Sequence, residues 1–252
     1  MEKVRKPFQG ILNIIRFNWH FYVIAIVLIF LILLLSAFTN STIKTTLLIF
    51  SLLISITIFV SLSVSYYVYD LSGFYKFEWI ENNDNEISII NINAGFDETS
   101  ELLKRKFINS NFIALDFYNP KKHTEVSIKR ARKQYPPYPN TKEIETSKID
   151  LESNSIDKVF VILSAHEIRN KTERIAFFSE LNRILKEKGQ IVVIEHLRDI
   201  SNFIAYNIGS FHFYSKQSWL NIFKKSKLRV ISEVKNTPFI STFTLKKNGI
   251  TL

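Results

Sequence analysis

The chain has 252 residues, with 33 Lys and Arg against 23 Asp and Glu, and a formal charge of +10. That length accommodates one domain of about 150–200 residues with something smaller beside it. The absence of cysteine excludes disulfides, thiolate metal sites and cysteine nucleophiles, and the basic balance suits work against an anionic surface.

Phe21 to Phe38 (FYVIAIVLIFLILLLSAF) and Thr45 to Tyr69 (TTLLIFSLLISITIFVSLSVSYYVY) are uncharged runs of 18 and 25 residues. At 1.5 Å per residue they reach about 27 Å and 37 Å, against a hydrocarbon core of roughly 30 Å. Only TNSTIK separates them, and Lys44 is the one charge within residues 21–69. The pattern predicts a transmembrane hairpin. The competing readings are a cleaved signal peptide and a buried soluble hairpin; the length of the first run and the equally apolar second run argue against cleavage. Lys3, Arg5, Lys6 and Arg16 precede the first span, which by the positive-inside rule places both termini and the soluble domain in the cytoplasm. Phe17, Trp19, Tyr22, Tyr66, Tyr67 and Tyr69 fall near the span ends, as in an aromatic belt. The chain is therefore expected to divide into a membrane hairpin, residues 1–70, and a soluble domain, residues 71–252.

The soluble part alternates apolar runs with helical patterns. A lead-in helix is expected over Ser72–Glu81, a strand over Ile87–Asn93 and a helix over Glu98–Phe107. A second strand follows at Phe112–Leu115, then a basic helix at Thr124–Lys133, a turn-rich YPPYPN and a short stretch at Glu143–Glu145. Ile156–Leu163 reads as a strand. Thr172–Lys186 carries apolar residues at Ile175, Phe178, Leu181 and Leu185, one face of a helix, and Gly189 sits where a helix C-terminal glycine belongs. Gln190–Glu195 is a strand, Ser218–Lys225 a helix, and Leu228–Val234 and Phe239–Lys246 are two last strands joined at Asn-Thr-Pro. Such alternation implies a mostly parallel sheet with helices on both faces.

Four segments carry a more specific likeness: NINAGFDETS after the first strand, ALDFYNP at the end of the second, Ser155-Ile156-Asp157-Lys158-Val159 opening the fourth, and ELNRILKEKGQIVVIEH leading into the fifth. In these the soluble domain resembles the class I S-adenosylmethionine-dependent methyltransferases. The resemblance implies an α/β, Rossmann-like, mostly parallel seven-stranded sheet with a C-terminal antiparallel hairpin, here preceded by the transmembrane α-helical hairpin. It implies S-adenosyl-L-methionine as cofactor and methyl transfer as reaction.

The family's loop after the first strand carries three glycines; this one keeps only Gly95, with Asn93 and Asp97 at the outer positions. Asparagine and aspartate tolerate left-handed backbone, so the turn can persist. Asp116, 21 residues after Gly95, stands where an acid would accept both ribose hydroxyls, the alternative being a cap on the following loop. By the resemblance, Asn93, Ala94, Gly95, Asp116, Phe117, Glu145 and Ser164 would hold the cofactor. Asp97 and Glu98 at the helix start would repel a pyrophosphate and favour a sulfonium, which argues against a nicotinamide nucleotide.

Ligands of open α/β sheets sit beyond the carboxyl ends of the strands. Strands four and five end there in Ser-Ala-His166-Glu167 and Glu195-His196. A methyltransferase positions two reactants and sometimes removes a proton, so His166 or His196 is the candidate base and Glu167 or Glu195 its orienting partner. A salt-bridged rim with Arg169 and Arg198 is the structural alternative. Tyr206, His212 and Trp219, in the aromatic segment NFIAYNIGSFHFYSKQSW, are candidate acceptor contacts, or else packing residues. Lys121, Lys122, Lys129, Arg130, Arg132 and Lys133 form a basic patch suited to anionic lipid headgroups, the other readings being nucleic acid and a solvated face. The five histidines lack the paired spacing of a zinc site, and no metal is expected.

The reading that unites these features is an integral membrane protein that methylates a hydrophobic small molecule or a lipid. A catalytically inactive methyltransferase fold serving as membrane scaffold is the first alternative. A nucleic-acid methyltransferase comes after it, because SAHEIR stands where an Asn/Asp-Pro-Pro-aromatic motif is common.

Overall fold

The computed structural model of the chain describes residues 5–80 and 87–249. Lys3 and Glu81, both invoked above, lie outside them.

Two long helices, α2 (Trp19–Ser36) and α3 (Ser41–Tyr66), stand side by side as the expected hairpin. Both are long and apolar enough to cross a membrane, with a mean hydropathy of 2.6 and only 6% of each apolar window buried. Their large side chains, Phe21, Ile24, Phe30 and Phe59 among them, face outward, whereas a soluble core helix would bury them. Asn40 opens α3 by accepting the Ile43 N–H at 3.1 Å, a side-chain cap that the sequence pattern places within the linker.

Before the hairpin lies a helix that periodicity did not suggest, α1 (Gln9–Phe17). At nine residues it is too short to hold by itself. The Asp70 carboxylate accepts the N–H groups of Gly10 and Ile11 at 2.9 and 2.8 Å, and so satisfies two of its open donors. The lead-in helix expected from Ser72 is instead a π turn, Tyr67–Leu71, and one 3-10 turn, Phe74–Lys76. Left-handed backbone at Gly73 (φ 74°) and Phe77 (φ 54°) interrupts it on either side.

Among the described residues the sheet has seven strands: β1 (Ser88–Asn93), β2 (Asn111–Asp116), β3 (Lys142–Glu143), β4 (Ile156–Ile162), β5 (Leu185–His196), β6 (Leu228–Thr237) and β7 (Ile240–Lys247). Their order is β3-β2-β1-β4-β5-β7-β6, with β7 running opposite to the other strands. Chain order reverses between β1 and β4, the position at which such sheets open a ligand crevice. Register brings Asn93 level with Asp116 across β1 and β2, so the two candidate cofactor residues end neighbouring strands.

One face of the sheet is covered by α6 (Lys171–Ile184) and α8 (Lys216–Lys225), which bury Phe177, Phe178, Leu181, Trp219 and Phe223 against Val159, Val161 and Val193. A phenylalanine removed from water in this way contributes about 1.5–3 kcal/mol. The buried face of α6 also includes Arg174, whose guanidinium lies 3.6 Å from the Tyr214 ring centroid and donates to the Ile168 carbonyl at 2.7 Å. The opposite sheet face packs on Phe74, Phe77 and Ile80, and on α4 (Ser100–Lys106) through Leu103. α5 (Val126–Gln134) and α7 (Ile200–Tyr206) complete the domain.

Gly189 does not end a helix. α6 stops at Ile184, the next residue is already extended, and Gly189 lies inside β5. A Cβ there would stand 2.9 Å from the Asp157 carbonyl oxygen and 3.0 Å from that of Ile156, so glycine lets β5 close onto β4 where their register shifts.

Candidate active site

The crevice begins at the turn after β1. Gly95 adopts φ +93°, a left-handed conformation open to glycine. The outer positions, which carry no glycine, are held by side chains. Asn93 Oδ1 accepts the Gly95 N–H at 2.9 Å, and Asp97 Oδ1 accepts the N–H groups of Thr99 and Ser100, both at 2.9 Å. The turn thus persists with two fewer glycines, and its backbone donors are turned onto the chain itself. Ala94 is buried beside it.

Asp116 ends β2 with 5% exposure. One carboxylate oxygen accepts the Tyr118 N–H at 2.8 Å, and the other pairs with Arg132 Nη1 of α5 at 2.5 Å. The Arg132 guanidinium also covers Gly95: a Cβ at Gly95 would meet Arg132 Nη1 and the Tyr118 ring at 2.9 Å. The cavity left among Asn93, Gly95, Asp97, Asp116, Arg132 and Tyr135 is about 40 Å³, against roughly 300–1,000 Å³ for ligand pockets. The donor set suits a nucleoside, with a strand-end carboxylate beside a glycine turn. Arg132, 30% exposed, occupies the edge of that cavity through its pair with Asp116.

α1 closes the same crevice from above. Phe17 stacks edge-on to Phe96 and Tyr135, and Asn13 accepts the Tyr135 hydroxyl at 2.8 Å. Glu98, expected beside a cationic ligand, faces α1 instead. Its Oε1 accepts from Arg5, Gln9 and Asn13 at 2.9–3.1 Å and its Oε2 from Tyr75 at 3.0 Å. Its charge is answered by Arg5 and not left for a sulfonium.

Of the remaining candidates for cofactor contact, Ser164 is buried and donates to the Ile92 carbonyl at 2.9 Å, next to the turn. Phe117 lies in the core against Phe177, and Glu145 is exposed.

At the ends of β4 and β5 the structure brings His166, Glu167, Glu195 and His212 together. His166 Nδ1 stands 2.6 Å from Glu195 Oε2, and its Nε2 stands 3.2 Å from Glu167 Oε1. Burial would lower the His166 pKa, but the two carboxylates outweigh it and hold it up at about 10. The same contacts, with His212, outweigh burial at Glu167 and hold that carboxyl far below its usual range. His196 is set apart from this group. Its Nδ1 faces two acceptors, Asn202 Oδ1 and the Phe239 carbonyl, and so carries the proton; its Nε2 accepts from the Tyr69 hydroxyl at 2.8 Å. Burial, reinforced by His166, pulls its pKa down to about 4. Both ring nitrogens are engaged by the fold.

Tyr206 stands against His196 and Phe213 with its hydroxyl buried and without a hydrogen-bond partner among the described residues. His212 joins the rim. Trp219 does not: it is fully buried between Phe178 and Phe223. In the basic helix, Arg132 turns inward to Asp116, and Arg130 donates to the Phe17 carbonyl at 2.6 Å. Lys121, Lys129 and Lys133 remain exposed. Sequence reasoning missed the pairing of Arg132 with Asp116 and the closure by α1; the only signal for the first is that Arg132 sits within the basic run.

Residues 90–193 match a family model described as a methyltransferase domain. No curated protein matches the chain. Among solved structures, a protein from Pyrococcus horikoshii aligns with a TM-score of 0.52 at 14% identity, over 70% of this chain and 90% of that one. A putative methyltransferase from Haloferax volcanii, solved with its methyltransferase activator, aligns with a TM-score of 0.50 at 8% identity, over 72% and 90%. A SAM-dependent methyltransferase from Aquifex aeolicus shows a TM-score of 0.48 at 17% identity, over 63% and 81%. Residues 90–193 thus resemble a methyltransferase domain, and the chain shares its Rossmann-like fold with these solved structures.

Proposed function

On the premise of that fold, we propose that the protein is a membrane-anchored methyltransferase whose acceptor is a lipid or another hydrophobic molecule drawn from the bilayer. S-adenosylmethionine supplies the methyl group on its sulfonium. Asp116 would accept the ribose hydroxyls once Arg132 has moved away, and Gly95 would give the amino-acid part room against the main chain.

One observation carries the choice of acceptor. The segment after β5, comprising α7 and the 3-10 turn Asn207–His212, packs on the spanning helix α3. It exposes Ile200, Phe203, Ile204, Ile208 and Phe211, from 49% to 81% accessible. A soluble domain hides such a cluster, whereas an element lying at a membrane interface presents one. The same segment leads to His212 and the rim, so a molecule leaving the bilayer along it would arrive beside His166. There His166 and Glu167 would contact the acceptor, Glu195 would orient His166, and Tyr206 would line the approach. With α2 and α3 as spans, the charges at Arg5, Lys6 and Arg16 support a cytoplasmic position for the domain.

The experiment is to reconstitute the full chain in liposomes of total lipid extract and supply methyl-labelled cofactor. Label entering the organic phase is the expected result; label confined to water-soluble products overturns the hydrophobic acceptor.

The closed crevice favours one second reading, a silent fold serving as a scaffold. Calorimetry with S-adenosylhomocysteine on wild type and on Arg132→Ala separates the two: no heat from either protein, both folded, establishes the scaffold.

A further inference from the structure

We propose that His166, Glu167 and His212 form a binding site for a divalent transition-metal ion of the zinc, cobalt or manganese class. Each offers one ligand atom, and these atoms lie within 4.8 Å of one another. Glu167 Oε1 stands 3.2 Å from His166 Nε2 and 3.5 Å from His212 Nε2. Two ligands about 2.1 Å from a shared tetrahedral ion are themselves about 3.4 Å apart. The set is thus spaced as ligands of one ion without rearrangement of the backbone.

A second shell is in place around it. Both imidazoles are held through Nδ1 by a carboxylate, His166 by the fully buried Glu195 at 2.6 Å and His212 by Glu125 at 2.9 Å. That leaves Nε2 as the nitrogen turned toward Glu167 on each ring, the arrangement by which carboxylate–histidine pairs orient metal ligands.

Formal charge points the same way. Three carboxylates, Glu125, Glu167 and Glu195, face the single guanidinium of Arg169. An ion that displaces the His166 proton meets three carboxylates and one guanidinium, two net negative charges, which a divalent ion cancels. Two imidazoles and one carboxylate suit first-row transition ions better than calcium or magnesium, which take oxygen sets.

Arg169 is the competitor. Its Nη2 lies against both ring nitrogens of His212 while also donating to Glu125 at 2.9 Å, and its Nη1 donates to the His212 carbonyl at 2.7 Å. The side chain is 39% exposed and can withdraw without opening the core. An ion and a proton exclude each other on His166 Nε2. With the ion bound, a coordinated acceptor oxygen would be polarised by the metal and not deprotonated by the imidazole. The site stands on its own geometry and does not require that the protein transfer methyl groups.

The test is a cobalt titration of the metal-free full chain in detergent, prepared without a polyhistidine tag and followed by visible absorption. One ion per chain is expected. His212→Asn and Glu167→Gln should raise the dissociation constant at least tenfold, Arg169→Gln should lower it about threefold or more, and His20→Asn should leave it unchanged. Absorption that never develops in wild type at millimolar cobalt overturns the proposal. So does a wild-type dissociation constant in both His212→Asn and Glu167→Gln. Should those two fail to fold, unchanged or weaker binding by Arg169→Gln overturns it.

Discussion

Arg132 Nη1 stands 2.5 Å from Asp116 Oδ2, so the carboxylate that ends β2 already holds a cation supplied by α5. In most nucleotide crevices of this topology that carboxylate awaits two hydroxyls; here a ligand must first displace a partly exposed ion pair. Such a pair is worth up to about 1 kcal/mol.

Arg132→Ala should therefore tighten S-adenosylhomocysteine binding by about threefold to fivefold, read by isothermal titration of the detergent-solubilised chain. Asp116→Ala should weaken it at least about tenfold. If Arg132→Ala weakens binding instead, the guanidinium is a ligand contact and not a plug.

The two histidines at the ends of β4 and β5, His166 and His196, should separate in kinetics. His166→Ala should lower turnover by about 100-fold or more while leaving cofactor affinity intact, the signature of a group acting on the acceptor. His196→Ala removes the acceptor of the Tyr69 hydroxyl and opens a cavity, so its main effect should be a loss of about 2–4 kcal/mol of stability. Equal turnover in His166→Ala and wild type would remove His166 from the chemistry.

Stability should fall in acid through His196. Its folded pKa of about 4 lies below the usual value of 6.5. Unfolded chains therefore take up a proton there at a pH where the folded protein refuses it. The contribution is whole above about pH 6.5 and is lost progressively down to about pH 4, on the order of 3 kcal/mol in all. Thermal melts of wild type and His196→Gln between pH 7.5 and 4.5 provide the check. The variant, less stable at neutral pH, should lose less on acidification, and parallel acid limbs would contradict the assignment.

Glu98 should govern how firmly α1 closes the crevice. Glu98→Ala removes the acceptor shared by Arg5, Gln9, Asn13 and Tyr75. Amide exchange across Gln9–Phe17 should accelerate about tenfold or more, in line with about 1.5–3 kcal/mol for bonds to a charged group. Exchange in β4 should not change. Protection of α1 equal to wild type would show that its apolar contacts suffice.

Much of this architecture was legible because it is local. The alternation of strand and helix from Ile87 to Lys246 follows from period and turn chemistry, and so do the two long apolar helices and the strand-end positions of Asp116 and Glu195. The errors lie where local pattern met a distant neighbour. Gly189 resembles a helix cap until β4 is seen so close that a Cβ would stand 2.9 Å from the Asp157 carbonyl oxygen, and Trp219 resembles a pocket aromatic until Phe178 and Phe223 enclose it.

By itself the sequence determined the order of the strands, the hairpin of two long apolar helices and the kind of fold, since hydrophobic period and chain punctuation act within a few residues. Tertiary structure alone decided that Arg132 fills the place beside Gly95, that α1 latches onto Glu98, and that His212 meets His166 and Glu167. These are contacts of charge and hydrogen bonding between segments far apart in the chain, and their geometry exists only after the sheet has brought the strand ends together.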